Sequence, residues 1–168
     1  MVFIEKNLYV LCSGNETNEN HNHNTLNPKD RKKIEDSAII LSEFIGDRGA
    51  KVICSDNNFD DLINEILSNK IKFSTIDKMC NFYYKDILSA IQLSFNLLDH
   101  IIVIGGKILC NELSNNLVQE LDAGLPRMFK LNAGEVMRFH FCHHSHIIED
   151  YLIFGFKPIT NHDQPDLD

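Results

Sequence analysis

Arginine is scarce in this chain: Arg31, Arg48, Arg127 and Arg138 are the only four in 168 residues, and 24 acidic residues face 16 basic ones. The resulting formal charge of −8 disfavours nucleic acid and anionic membrane surfaces as partners, because both are polyanions. No apolar run approaches the roughly 20 residues of a membrane-spanning helix. The opening Met1-Val2-Phe3-Ile4-Glu5-Lys6 lacks the long apolar stretch of a secretory signal, so none is expected. Five cysteines, odd in number and widely spread, do not form a disulfide framework, and a reducing cytoplasm is the expected location. There is no internal repeat, interdomain linker or heptad run.

What is present is an alternation of strand and helix patterns. A hydrophobic content of 43% can supply one sizeable core, so residues 1–168 are expected to form a single domain. The apolar run at 8–11 predicts a buried strand, and the polar, asparagine-rich residues 15–24 after it predict a loop. Pro28 suits the first turn of a helix in which Ile34, Ala38, Leu41 and Ile45 share a face. A second strand is expected at 51–55, and Phe59, Leu62, Ile63, Ile66 and Leu67 make the apolar face of the next helix. A helix at about 86–98, a strand at 100–104 and a helix carrying Leu109, Leu113, Leu117 and Leu121 follow. Residues 136–141 and 151–156 read as two strands joined by a polar turn.

The most informative segment is Leu8-Tyr9-Val10-Leu11 running into Cys12-Ser13-Gly14, a strand ending in a tight turn where α/β proteins hold ligands. It resembles the strand that ends in Arg-His-Gly in the histidine phosphatase superfamily, the phosphoglycerate-mutase-like proteins. Cys12 stands in the arginine place and Ser13 in that of the nucleophilic histidine. Further segments fall in the same order. Leu26-Asn27-Pro28-Lys29-Asp30-Arg31 is similar to the family's Leu-Thr-Pro-x-Gly-Arg helix start, with Asp30 replacing glycine. The run from Val52-Ile53-Cys54-Ser55 through Asn64 aligns with Val-Tyr-Ser-Ser-Pro-Leu-x-Arg-Ala-x-Gln-Thr-Ala without a gap, and puts Phe59 in the place of the second phosphate-binding arginine. Ile101-Ile102-Val103-Ile104-Gly105-Gly106 resembles the strand delivering the second histidine, whose place falls on Ile104 or Gly106. Leu131-Asn132-Ala133-Gly134-Glu135-Val136 and the strand from Tyr151 resemble the closing elements, and the short chain most resembles the bacterial phosphohistidine phosphatases.

This resemblance implies a three-layer α/β/α sandwich around a mostly parallel sheet. It also implies chemistry that needs a nucleophilic imidazole, a facing histidine and two guanidinium forks to hold three phosphoryl oxygens. None of the arginines occupies a matching place, and a serine cannot form the phosphoimidazole intermediate. Losing one donor from such a site commonly costs on the order of a hundredfold in rate, and here all four groups are changed together. The resemblance therefore points to a catalytically degenerate member, with no catalytic residue assigned and no cofactor. Its role would be to bind a protein partner or a phosphorylated ligand. The alternative is a phosphohistidine phosphatase or phosphomonoesterase with a non-standard site. A nucleotide-handling Rossmann-like protein is a third class, weakened by the absence of Gly-x-Gly-x-x-Gly.

Other residues carry competing readings. Cys12 at a strand end suits a thiolate, but a Cys-x5-Arg loop would need arginine where Asn18 stands, and a small turn residue is the plainer role. Ser13, Gly14, Gly105 and Gly106, with Lys107 at a helix start, suit a residual anion site or a simple structural turn. Phe59 suggests a filled pocket or an ordinary core side chain. His140, Cys142 and His144 alternate to one side of a strand and have metal-binding composition, but match no closed four-ligand signature, so an exposed polar turn is favoured and no metal is assigned. Asp60 and Asp61, being consecutive, diverge by about 100° on a helix and are expected on a solvated face.

Overall fold

The computed structural model describes residues 6–14, 26–56, 58–80, 83–121, 130–141 and 148–154, with side chains described except at Asn58, Phe59, Glu120, Leu121 and 148–154. Its strands are β1 (Lys6–Cys12), β2 (Ala50–Ser55), β3 (Phe73–Met79), β4 (His100–Gly105), β5 (Val136–Phe141) and β6 (Ile148–Phe154). Its helices are α1 (Pro28–Ile45), α2 (Asn58–Ser68), α3 (Tyr84–Phe95) and α4 (Lys107–Leu121). They form a single six-stranded sheet in the order β3-β2-β4-β1-β5-β6. The first four strands run parallel and β5 and β6 antiparallel to their neighbours. No described helix is long and apolar enough to cross a membrane.

Two-residue periodicity decides which layer each strand residue joins. Leu8, Val10 and Cys12 of β1, with Ile101 and Val103 of β4 and Met137 and Phe139 of β5, pack with Ile87, Ile91 and Phe95 of α3 and Leu109, Cys110, Leu113 and Leu117 of α4. Tyr9, Leu11, Ile102, Ile104 and Val136 point the other way, to Ile34, Ala38, Leu41 and Ile45 of α1 and Ile63, Ile66 and Leu67 of α2. Because β1 and β4 are covered on both faces, they read as continuous apolar runs rather than alternating ones. The result is the three-layer sandwich expected from the sequence.

Local chemistry fixes the ends of the elements. Asn27 caps α1 by accepting from the Lys29 N–H at 2.9 Å, and Pro28 occupies the first helical position, where a missing N–H costs nothing. Strand β3 was not expected from the sequence. It lies at the sheet edge with most of its residues exposed, and cross-element ion pairs hold it: Lys51 to Asp77 at 2.9 Å and Lys78 to Asp61 at 2.6 Å. The hairpin of β5 and β6 was expected, although β6 starts at Ile148, inside the segment read as a turn.

Candidate functional site at the carboxyl edge of the sheet

Parallel pairing of β2, β4 and β1 carries three sequence-distant turns to one edge. Cys12 lies opposite Gly105, and the ladder continues one step further because the Ser13 N–H donates to the Gly105 carbonyl at 2.8 Å. Ser13 and Gly105-Gly106 are thus direct neighbours, as the order of the sequence segments predicts. The segment Leu131 to Glu135 closes the other side of β1. The Cys12 N–H donates to the Glu135 carbonyl at 3.0 Å, and the Gly134 N–H to the Cys12 carbonyl at 2.8 Å. Glu135 holds its own turn by accepting from the Asn132 N–H at 2.8 Å, and Asn111 of α4 accepts from the Leu131 N–H at 2.7 Å.

Gly14 adopts φ +85°, and a Cβ there would stand 2.5 Å from the Ala133 Cβ. Glycine is required both by the backbone and by the closeness of this second segment. Gly105 is closely packed: a Cβ would meet Leu109 Cδ2 at 2.8 Å and Cys110 Sγ at 3.4 Å, so the end of the Leu109 side chain would have to move. Lys107, the first residue of α4, is half-buried beside these turns.

Cys12 is wholly buried, and its Sγ lies 3.6 Å from the Leu131 carbonyl oxygen. A hydrogen bond from the Cys110 thiol lowers its pKa, outweighing burial, with help from the Gly14 amide and the positive charge of Lys107. Cys110 is correspondingly pushed well above the usual thiol range, first by that bond to Cys12 and then by burial. Sequence reasoning missed Cys110; the leucine spacing of α4 marks the core-facing side, and Cys110 sits one position round from Leu109 on it, with nothing local to show which strand it meets.

The same edge carries a buried carboxyl. Asp60, in the first turn of α2, is 3% exposed and accepts from both the Ser55 N–H at 3.0 Å and the Ser55 hydroxyl at 2.7 Å. Burial pushes its pKa up to about 6 against the two Ser55 bonds, which lower it. The expected solvated face therefore holds for Asp61, which is exposed and paired with Lys78, and fails for Asp60. The reason is that α2 begins so soon after β2 that its first turn folds back over the strand end.

Ile104, one alternative histidine place, is buried towards α1 and α2; Gly106, the other, is buried at the start of α4. Phe59 lies in the first turn of α2, and its side chain is outside the described residues. Among the described residues, the imidazoles and guanidiniums lie elsewhere. His100 and His140 are both opposite Asn7, at the amino end of β1, and the Tyr9 hydroxyl lies 3.1 Å from His100 Nδ1. Arg138 donates to Asn7 at 2.9 Å, Arg48 pairs with Asp99 and Arg31 with Glu35. Cys142 and His144, the other members of the metal-like cluster, lie outside the described residues.

No protein-family model matches the chain, and no curated protein matches its sequence. Solved structures match closely in shape. Phosphohistidine phosphatase SixA of Nakamurella multipartitia superposes with a TM-score of 0.67 at 14% identity, over 93% of this chain and 98% of that one. The protein histidine phosphatase SixA complexed with tungstate gives 0.61 at 13%, over 86% and 95%. SixA of Agrobacterium tumefaciens gives 0.59 at 13%, over 88% and 96%. The chain therefore has the histidine phosphatase fold, phosphoglycerate-mutase-like. Within that fold its structural neighbours include the SixA-like phosphohistidine phosphatases.

Proposed function

We propose that this protein is a pseudophosphatase, a histidine-phosphatase-fold protein that binds a phosphorylated ligand or a protein partner in the cytoplasm without transferring the phosphoryl group. The observation that carries this reading is the state of Cys12. At the place of the first guanidinium fork, the chain has a small thiol buried in the apolar layer under α3 and α4 and bonded inward to Cys110 and Leu131. Such a group cannot reach out to phosphoryl oxygens as an arginine does, and the adjoining Ser13 has no imidazole to offer. Lys107, Ser13, Gly14, Gly105 and Gly106 are the groups proposed to meet an oxyanion, with Lys107 supplying the charge. One SixA neighbour was crystallised with tungstate, an oxyanion, which supports that ligand class. The four described cysteines are free, consistent with a reducing compartment.

A second reading has one specific observation in its favour: the lowered pKa of Cys12 beside Lys107 is what a thiol nucleophile needs. That reading is a phosphohistidine phosphatase or phosphomonoesterase with a non-standard site in which Cys12 is the nucleophile. Steady-state assays with p-nitrophenyl phosphate and phosphohistidine peptide separate the two. The pseudophosphatase reading predicts no hydrolysis above that of the Cys12→Ala and Ser13→Ala variants, together with retained binding of phosphopeptide or orthophosphate by calorimetry. Turnover abolished by either substitution establishes the enzyme reading.

A further inference from the structure

Neither reading of the site gives Cys12 and Cys110 a redox role. The two thiols come from elements far apart in sequence and meet because of three features. Cys12 is the last residue of β1 and lies opposite Gly105. Cys110 sits in the first turn of α4, its N–H bonded to the Gly106 carbonyl at 3.0 Å. Gly105 carries no side chain, so Cys110 Sγ comes down onto the strand ends, 3.3 Å from the Gly105 carbonyl oxygen and 3.4 Å from that of Leu11, the residue joined to Cys12. Both sulfurs are wholly buried in the same apolar layer between the sheet and α3 and α4.

We propose that Cys12 and Cys110 are a redox modification site, a buried dithiol that a small hydroperoxide converts into a disulfide tying the end of β1 to the first turn of α4. The sulfur of Cys12 attacks the peroxide, the O–O bond breaks, and an alcohol or water leaves as Cys12 becomes a sulfenic acid. The sulfur of Cys110 then attacks that of Cys12, the S–S bond forms, the S–OH bond breaks, and the proton from Cys110 leaves with the hydroxide as water. Two thiols lose two electrons and the peroxide gains them. Cys12 is the first to react because its hydrogen bond from Cys110, the Gly14 amide and Lys107 favour its thiolate, while Cys110 keeps its proton until the second step. Burial of both sulfurs selects a small, uncharged oxidant over glutathione disulfide.

The chain carries its own controls. Cys54 is buried with no thiol partner among the described residues, its pKa pushed up to about 11 by burial, and Cys80 is exposed. Reduced full-length protein is treated with hydrogen peroxide, denatured, alkylated, digested and analysed by mass spectrometry. The expected product is a Cys12–Cys110 cross-linked peptide pair, reversed by dithiothreitol, with Cys54 still recovered as its alkylated thiol. In Cys110→Ala the expected product is a Cys12 sulfenic acid trapped by dimedone. Should that variant fail to fold, the wild-type peptide map decides by itself. Recovery of Cys12 and Cys110 as free thiols, at a peroxide dose that has oxidised Cys80, overturns the proposal, as does pairing of Cys12 with any other cysteine. Either result stands whether or not the site turns over a phosphate ester.

Discussion

The Ser13 N–H donates to the carbonyl of Gly105 at 2.8 Å, joining the end of the first strand to the glycine turn that opens α4. One backbone bond thus brings together the two regions to which the sequence resemblance assigns the imidazoles, with Ser13 at one place and Ile104 or Gly106 at the other.

The tightness of that edge is testable at Gly14. Gly14→Ala forces a non-glycine residue to φ +85° and drives its Cβ into that of Ala133. A loss on the order of 1–3 kcal/mol is expected in denaturant unfolding. Adding Ala133→Gly relieves the collision and leaves the backbone cost, so the double variant recovers part of the loss. Strict additivity of the two substitutions shows that the segments do not touch as described.

Asp60 predicts the pH dependence of stability. Its pKa rises from 3.8 to about 6 on folding, so the folded state holds the proton more tightly than the unfolded one. The penalty is absent below the unfolded value, grows as pH rises through the interval, and is complete above the folded value. A shift of this size corresponds to roughly 3 kcal/mol. Asp60→Asn keeps an acceptor for Ser55 and removes the charge. The variant is expected to lose the part of the stability decline seen between about pH 4 and pH 6 and to match or exceed the wild type at neutral pH. An unchanged pH profile rules out Asp60 as its source.

Most of the scaffold was legible in the sequence because its strands are buried on both faces and its helices keep one apolar side. Ile34, Ala38, Leu41 and Ile45 of α1 all lie in the core. Strand β3 was not legible: Phe73, Ile76 and Met79 are three apart, and an exposed edge strand has no core to impose a period of two. The neighbouring of Ser13 and Gly105 at one sheet edge was legible, whereas the side-chain contacts there were not. Nothing local in sequence announces that Cys110 reaches Cys12 over a glycine, or that Asp60 folds back onto Ser55, since both depend on how a helix leaves the strand before it.

Introducing the guanidinium and imidazole groups that the resemblance implies is expected to damage the protein before it gives any chemistry. Cys12→Arg puts a guanidinium into a wholly buried site among Leu131, Cys110 and the α4 leucines. A melting temperature lower by about 10 °C is expected, following from several kcal/mol of uncompensated buried charge. Combining it with Ser13→His, Phe59→Arg and Gly106→His should give feeble turnover at most, because a reacting geometry needs its surroundings packed to hold it. Phosphate should recover part of the lost stability if the rebuilt site binds it. A stable quadruple variant with brisk turnover contradicts this expectation and shows that the scaffold kept a preorganised site.

As a pseudophosphatase this protein accepts no phosphoryl group, and a single-turnover experiment measures that transfer. Excess protein is mixed with phosphohistidine peptide carrying a radiolabelled phosphoryl group, quenched over a time course, and separated into protein, peptide and orthophosphate. Label is expected to leave the peptide only at the rate of its uncatalysed decay, with none on the chain. Label appearing on Cys12 or Ser13, or orthophosphate released at a rate abolished by Cys12→Ala or Ser13→Ala, contradicts it.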